Sequence, residues 1–140
     1  MAYRKDWSQP QQGGQGFART RKTFGRTVTI GTADNVTGNT VGAFMVPAGF
    51  VQTGIIAVAT DMDSNGSPAM AISVGDSGSG TRLLSSSNIG QAGTSTTTLA
   101  STGLLYKYTA DTEILVTITT QSATAVAGTL DLRCEGYMDN

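Results

Sequence analysis

Residues 130–138 read LDLRCEGYM, and this stretch decides the fold class of the chain. Apolar or soft side chains alternate along it with charged or phenolic ones: Leu130, Leu132, Cys134 and Met138 against Asp131, Arg133, Glu135 and Tyr137. A period of two places successive side chains on opposite faces of a β-strand. The stretch therefore predicts a strand with one face toward a core and the other toward water.

The same period recurs upstream, in runs separated by clusters of Gly, Pro, Asp and Ser that favour turns. The runs cover residues 27–30, 41–46, 50–60, 70–74, 104–108 and 113–119. No stretch shows a convincing helical stripe bounded by caps. About eight strands predict an all-β fold, a single jelly-roll-like β-sandwich, with an open barrel of five or six strands as the alternative. The runs on either side of residues 61–68 resemble a hairpin with a long loop.

Charge divides the chain into two parts. Residues 1–26 contain six of the nine cationic side chains and one acid, which gives +5, whereas residues 27–140 contain three cations and nine acids, which gives −6. A basic stretch rich in Gln and Gly buries too little apolar surface to fold alone. We therefore expect a basic, extended N-terminal arm over residues 1–26 and one β-sandwich domain over residues 27–140.

The cations and rings of the arm form the candidate partner-binding site. Burial of one aromatic side chain contributes about 1.5–3 kcal/mol, and the cations can meet acidic patches on a partner. The site residues are Arg4, Lys5, Trp7, Phe17, Arg19, Arg21, Lys22, Phe24 and Arg26. The alternative is a tail without a docking role. The rings could also stack on nucleic-acid bases, but the acidic body would repel a polyanion, so nucleic-acid binding is not expected.

The sequence offers little for catalysis. Histidine is absent, which removes the Ser-His-Asp and Cys-His nucleophile systems and the usual base at neutral pH. Cys134 is expected in the core, and Asp111 and Glu113 are interpreted as solvated surface acids. We therefore expect a protein that is not an enzyme and that needs no cofactor.

The segment Asp61-Met62-Asp63-Ser64-Asn65-Gly66 matches the first half of a calcium loop. The twelfth position of that motif requires a bidentate glutamate, and Ile72 stands there instead. The favoured interpretation is a polar loop in which Asp and Asn bond their own backbone. No metal site is predicted, and a weak Ca²⁺ site at Asp61, Asp63 and Asn65 is the alternative.

No segment approaches the ~18 apolar residues of a membrane helix, and the N-terminus is too polar for a signal peptide. A single cysteine excludes a disulfide within the chain. We expect a protein that is made in a cytoplasm and does not enter a membrane.

Two segments resemble small β-rich structural proteins of the virions of tailed bacteriophages. They are VPAGFVQTGIIAVATDMDSNGSPAMAISVGD at 46–76 and GLLYKYTADTEILVTITT at 103–120. The resemblance extends over roughly residues 46–137 and does not reach the arm. It implies a structural protein without catalytic residues, such as a capsid decoration (cement) protein or another head- or tail-associated subunit.

The same resemblance implies partners and a location. Such proteins are often trimeric and lie over joints between major capsid protein subunits. It therefore implies binding to major capsid protein or other virion subunits, a homo-oligomer with a trimer favoured, and a place on the capsid surface after synthesis in the host cytoplasm. The alternative is a tail-fibre or lectin-like module that binds a host surface glycan through Tyr106, Tyr108, Tyr137 and the loop at 61–66.

Overall fold

The computed structural model describes residues 21–139 and places eight strands in them. The strands are β1 (Arg21–Ile30), β2 (Thr40–Val46), β3 (Phe50–Ala59), β4 (Ala71–Gly75), β5 (Leu84–Ser87), β6 (Ser95–Thr96), β7 (Thr112–Thr120) and β8 (Gly128–Met138). A short 3-10 turn, Ile89–Gln91, lies between β5 and β6. Within residues 21–139, no helix has the length and apolar character needed to span a membrane.

The strands form two antiparallel sheets that pack face to face. One sheet has the order β1-β8-β3-β6 and the other β2-β7-β4-β5. Most connections cross from one sheet to the other, because only β4 and β5 are consecutive strands within one sheet. This order is that of an eight-stranded jelly roll. The predicted all-β sandwich is confirmed, and the open-barrel alternative is wrong.

Strand β8 lies at the centre of the first sheet, between β1 and β3. Leu130, Leu132 and Cys134 are fully buried, while Arg133 on the opposite face is exposed. The alternation of residues 130–138 therefore corresponds to a core face and a solvent face, as predicted. Cys134 is a core side chain, and its burial raises the pKa of the thiol to about 12, so little of the nucleophilic thiolate forms at neutral pH.

Strand β1 begins at Arg21, six residues before the predicted start of the sandwich domain. Its first half pairs with the last half of β8, from Arg21 opposite Tyr137 to Arg26 opposite Leu132. The local composition is basic and polar, but the ring of Phe24 packs on the ring of Phe50 in the core. Strand β8 is also long enough to form backbone hydrogen bonds with the whole of β1. Residues 21–26 are thus part of the sandwich, and the rest of the predicted arm lies outside the described residues.

The predicted hairpin around residues 61–68 is wrong, because β3 and β4 belong to different sheets. Strand β3 pairs with β8 and β6, whereas β4 pairs with β7 and β5. Both strands bury one face in the same core, so their apolar periods are alike. The segment between them crosses from one sheet to the other. Residues 104–108 also differ from the predicted strand, since they form a turn followed by one bridge between Lys107 and Val51.

Replacing Leu132 by Ala should lower the free energy of unfolding by about 2–5 kcal/mol, because it leaves a cavity between the sheets. Urea unfolding followed by circular dichroism measures the change. Val58→Ala is the matched control on the neighbouring strand, where the side chain is 46% exposed and its loss should cost only a few tenths of a kcal/mol. Equal losses for the two variants would contradict the central role of β8.

Candidate interaction surfaces

Four of the predicted partner-binding residues lie on β1. Lys22, Phe24 and Arg26 share one face of the strand by alternation, and Arg21 lies on the other. The two cations on that face are exposed, and the ring between them is partly buried. The structure therefore brings three predicted site residues into one row. The other five lie outside the described residues: Arg4, Lys5, Trp7, Phe17 and Arg19.

Phe24 is engaged within its own domain. Its ring meets the ring of Phe50 edge to face, with 5.1 Å between centroids and 89° between planes. Phe50 is fully buried and stacks in turn on Tyr108, at 6.4 Å. Phe24 thus closes the rim of the core, whereas the sequence predicted a ring that fills a pocket on a partner.

Two of the three cations on β1, Lys22 and Arg26, have no acidic partner within residues 21–139. Arg21 approaches Glu135 at 4.0 Å, an exposed contact that contributes little. Lys22 and Arg26 form no ion pair in this range. Two uncompensated positive charges therefore flank an aromatic ring along the outer strand of a sheet.

The polar loop at 61–66, the alternative Ca²⁺ site of the sequence, is organised around the buried carboxylate of Asp63. Its Oδ2 accepts hydrogen bonds from the backbone N–H groups of Ala69 at 2.8 Å, Met70 at 3.1 Å and Ala123 at 2.9 Å. Its Oδ1 accepts one from the N–H of Thr124, at 2.9 Å. One side chain thereby joins the loop after β3 to the loop after β7.

The other two candidate ligands also bond the backbone. Oδ1 of Asp61 accepts from the N–H of Asp63 at 3.0 Å, and Oδ1 of Asn65 accepts from the N–H of Ser67 at 2.9 Å. These are side-chain turns of the kind that Asp and Asn form in polar loops. In the part of the chain that the structure describes, no three His, Cys, Asp or Glu side chains are grouped to hold a metal ion.

Arg82 and Asp76 form a second polar cluster, at the opposite end of the sandwich. Nε of Arg82 donates to Oδ2 of Asp76 at 2.5 Å and Nη2 donates to Oδ1 at 3.3 Å. The guanidinium also lies 3.8 Å from the centre of the Tyr106 ring. A shallow cavity of about 200 Å³ opens beside the cluster. Because Arg82 is already bound to a carboxylate and a ring, the cluster holds the loop after β4 rather than offering a free cation.

The side chains of the proposed glycan site do not converge. Tyr108 is buried, and Arg82 covers one face of Tyr106. The loop at 61–66 follows Thr60, which bonds to Thr129 near the start of β8, whereas Tyr137 lies near its end. Eight residues of strand separate those two positions, or about 26 Å. A single sugar cannot contact both.

The turn at 101–105 exposes two leucines, at positions where the sequence pattern predicted a strand. Leu104 is 58% exposed and Leu105 is 61% exposed. Leu105 has a φ of +60°, a left-handed conformation that costs roughly 1–2 kcal/mol for a residue other than glycine. Its N–H donates to the carbonyl of Gln52 at 2.7 Å, which holds the turn in place. The available signal was the leucine pair itself, because adjacent residues of a strand cannot both face one core.

Chains from solved phage capsids are similar to this protein. A chain of the cyanophage Pam1 capsid asymmetric unit is 31% identical, with 88% of each chain covered and a TM-score of 0.78. A chain of the Ralstonia phage GP4 capsid is 23% identical over 87% of this chain and 84% of that one, with a TM-score of 0.70. A chain of the acid-stable capsid of the Helicobacter pylori bacteriophage KHP30 is 11% identical over 87% and 94%, with a TM-score of 0.55. These last two show a shared fold. No protein-family model and no curated protein matches the sequence.

The Asp63 carboxylate should make the fold sensitive to acid. Burial raises its pKa, but the N–H donors of Thr124, Ala69, Ala123 and Met70 together hold the pKa well below the ordinary value of 3.8. Because the pKa of Asp63 is lower in the folded protein than in the unfolded chain, its carboxylate stabilises the fold fully at a pH above the unfolded-state pKa. This stabilisation is lost as the pH falls toward the folded-state pKa.

Asp63→Asn should therefore melt several degrees below the wild type at pH 7, and this gap should narrow as the pH falls below about 4. Thermal unfolding between pH 7 and pH 2 measures it. Asp139→Asn, which changes a half-exposed carboxylate that pairs with Lys107 at 3.8 Å, is the control and should show a small gap at every pH. A gap for Asp63→Asn that stays constant with pH would contradict the role of the carboxylate.

Proposed function

The chain belongs to the family of its cyanophage Pam1 relative, a phage capsid component, and from that premise we propose that it decorates and stabilises a capsid by binding the major capsid protein. It is a structural protein of a phage virion. Decoration, a homotrimeric state and the arm as the docking element are the proposed refinements of that role.

The distribution of charge carries the proposal. The chain concentrates its cations in residues 1–26, at +5, and leaves the rest at −6. Two of these cations, Lys22 and Arg26, have no acidic partner within residues 21–139. Charge complementarity orients one subunit against another and raises the association rate. A basic N-terminal region fits an acidic surface of the shell.

The completeness of the sandwich also favours an added subunit over a shell-forming one. Its core consists of side chains from both sheets that are buried without any partner chain. A subunit that joins an assembled shell has to fold before it binds. The two exposed leucines of the turn at 101–105 form a small apolar patch. Such a patch is available for a contact between subunits.

The length of the arm requires a large partner surface. Ordering residues 1–20 on a partner would cost on the order of 20–40 kcal/mol of backbone entropy. Rings such as Trp7 and Phe17 would offset part of that cost if each entered a pocket. A capsid lattice offers the area that this needs, whereas a small ligand does not.

Deleting residues 1–20 should leave the sandwich folded and weaken capsid binding by about tenfold or more, because the deletion removes Trp7, Phe17 and three cations. The deletion stops before β1 and so spares the pairing with β8. Co-sedimentation with undecorated capsids measures binding, and circular dichroism checks the fold. Arg133→Gln, an exposed cation on the outer face of β8, is the control. A truncated chain that saturates capsids at the same concentration would refute the arm's role.

Replacing Leu104 by Ser and Leu105 by Asn should reduce capsid binding without lowering the melting temperature. The exposed leucines add little to the fold, and asparagine tolerates the left-handed conformation better than leucine does. The same co-sedimentation assay and a thermal melt measure the two effects. The matched control is Val36→Ser, which removes an apolar side chain that is 49% exposed elsewhere on the surface. Unchanged binding by the double variant would exclude the turn from the interface.

A further inference from the structure

Strand β1 differs from the other strands at the edges of the two sheets. The edges are β1 and β6 in one sheet and β2 and β5 in the other. Strand β6 has two residues and β5 has four, and a bulge between Gly42 and Phe44 interrupts the ladder of β2. Strand β1 pairs with β8 without interruption over ten residues. Proteins usually shorten or bulge their edges to prevent pairing with foreign strands. Among residues 21–139, only β1 keeps a long, regular edge.

The backbone of this edge has groups available for another strand. In an antiparallel pair, about half of the residues direct N–H and C=O toward the neighbour and the others direct them away. Strand β1 has a neighbour on one side only in the described part of the chain. Its second side therefore offers a ladder of donors and acceptors to an extended peptide.

The side chains at this edge define what such a peptide must carry. Val28 and Ile30 are buried, and Lys22, Phe24 and Arg26 continue the same face toward the open rim. Their partners on β8 are buried residues, so the long side chains of Lys22 and Arg26 reach out over the edge of the core. A strand added here would place alternate side chains beside a cation, then a ring, then a cation.

We propose that the free edge of β1 binds an extended acidic segment of a neighbouring virion subunit by strand addition. The segment carries an acidic residue, an apolar residue and an acidic residue at every second position. The acids lie beside Lys22 and Arg26, and the apolar side chain lies beside Phe24. The inference deepens the proposed function, on which it rests only for the identity of the subunit that donates the strand.

Charge selects this occupant over the two that the chain itself could supply. A second copy paired through β1 would bring another set of the same cations to the same face, which is unfavourable. Residues 1–20 carry three cations and one acid and would meet Lys22 and Arg26 with a net positive charge. Cations at an edge oppose pairing between copies and admit a partner of the opposite sign.

Titration of the full-length chain with synthetic peptides tests the proposal. The probe is a nine-residue peptide with glutamate, valine and glutamate at its third, fifth and seventh positions and threonine at the others. Fluorescence polarisation of a labelled peptide measures binding, and NMR of amide-labelled protein locates it. We expect saturable binding that shifts the amide signals of β1. A peptide with lysine in place of both glutamates should bind about tenfold more weakly.

Charge exchange and backbone methylation separate strand addition from simple attraction. Lys22→Glu with Arg26→Glu should weaken the acidic peptide about tenfold and restore binding of the lysine peptide. Lys107→Glu with Ser64→Glu and Ser67→Glu makes the same change in net charge at exposed positions outside β1 and β8 and should leave both affinities near the wild type. Two further peptides carry N-methyl groups on alternate residues, one on the odd-numbered and one on the even-numbered residues. Each therefore lacks the N–H donors along one edge of the peptide strand. At least one of them must lose binding, because it cannot form the ladder.

Other outcomes overturn the proposal. Absence of binding by the acidic peptide does so, including the case in which residues 1–20 or a second copy already occupy the edge. If both N-methylated peptides still bind, the peptide is held by charge attraction without backbone hydrogen bonds, and this result also overturns the proposal. None of these results depends on capsids, so failure here leaves the co-sedimentation result standing, and failure of capsid binding leaves this result standing.

Discussion

The pairing of β8 with β1 and β3 is the constraint on which the rest of the structure depends. The last strand of the chain lies between the first and the third, and its Leu130, Leu132 and Cys134 fill the middle of the core. Without β8, strands β1 and β3 lack the strand that joins them in one sheet. Most pairs in this fold join residues far apart in sequence, a topology that folds slowly because loop closure precedes the gain from packing.

Different polar contacts stabilise the loops at the two ends of the sandwich. At one end, the Asp63 carboxylate gathers backbone donors from two loops that belong to different parts of the chain. At the other end, Arg82 bridges Asp76 and the ring of Tyr106. Such buried polar contacts are costly when incomplete and specific when satisfied. They fix the loops at both ends of the sandwich without a disulfide in the described residues.

Much of the fold could be predicted from alternation. The period of two in residues 130–138 identified β8 and its buried face, and the polar loop around Asp63 was predicted from its Asp and Asn residues. Alternation could not assign β3 and β4 to different sheets, because both bury one face in the same core. It also could not show that Phe24 packs on Phe50, since that contact joins segments that are distant in sequence. The start of β1 at Arg21 could not be predicted for the same reason. The turn at 101–105 could not be predicted either, because leucine favours buried positions.

Because β1 and β8 run in opposite directions in register, Arg21 lies beside Tyr137, and both ends of the described chain leave the sandwich at one pole. The loop at 61–66 lies at the other pole, where Asn65 and Gly66 are exposed and nothing crowds a side chain at Gly66. In the proposed function residues 1–20 dock on a partner, so a cargo attached at the C-terminal end would compete with that partner for space. For displaying a foreign peptide, insertion into the distant loop is the geometry that keeps this pole clear.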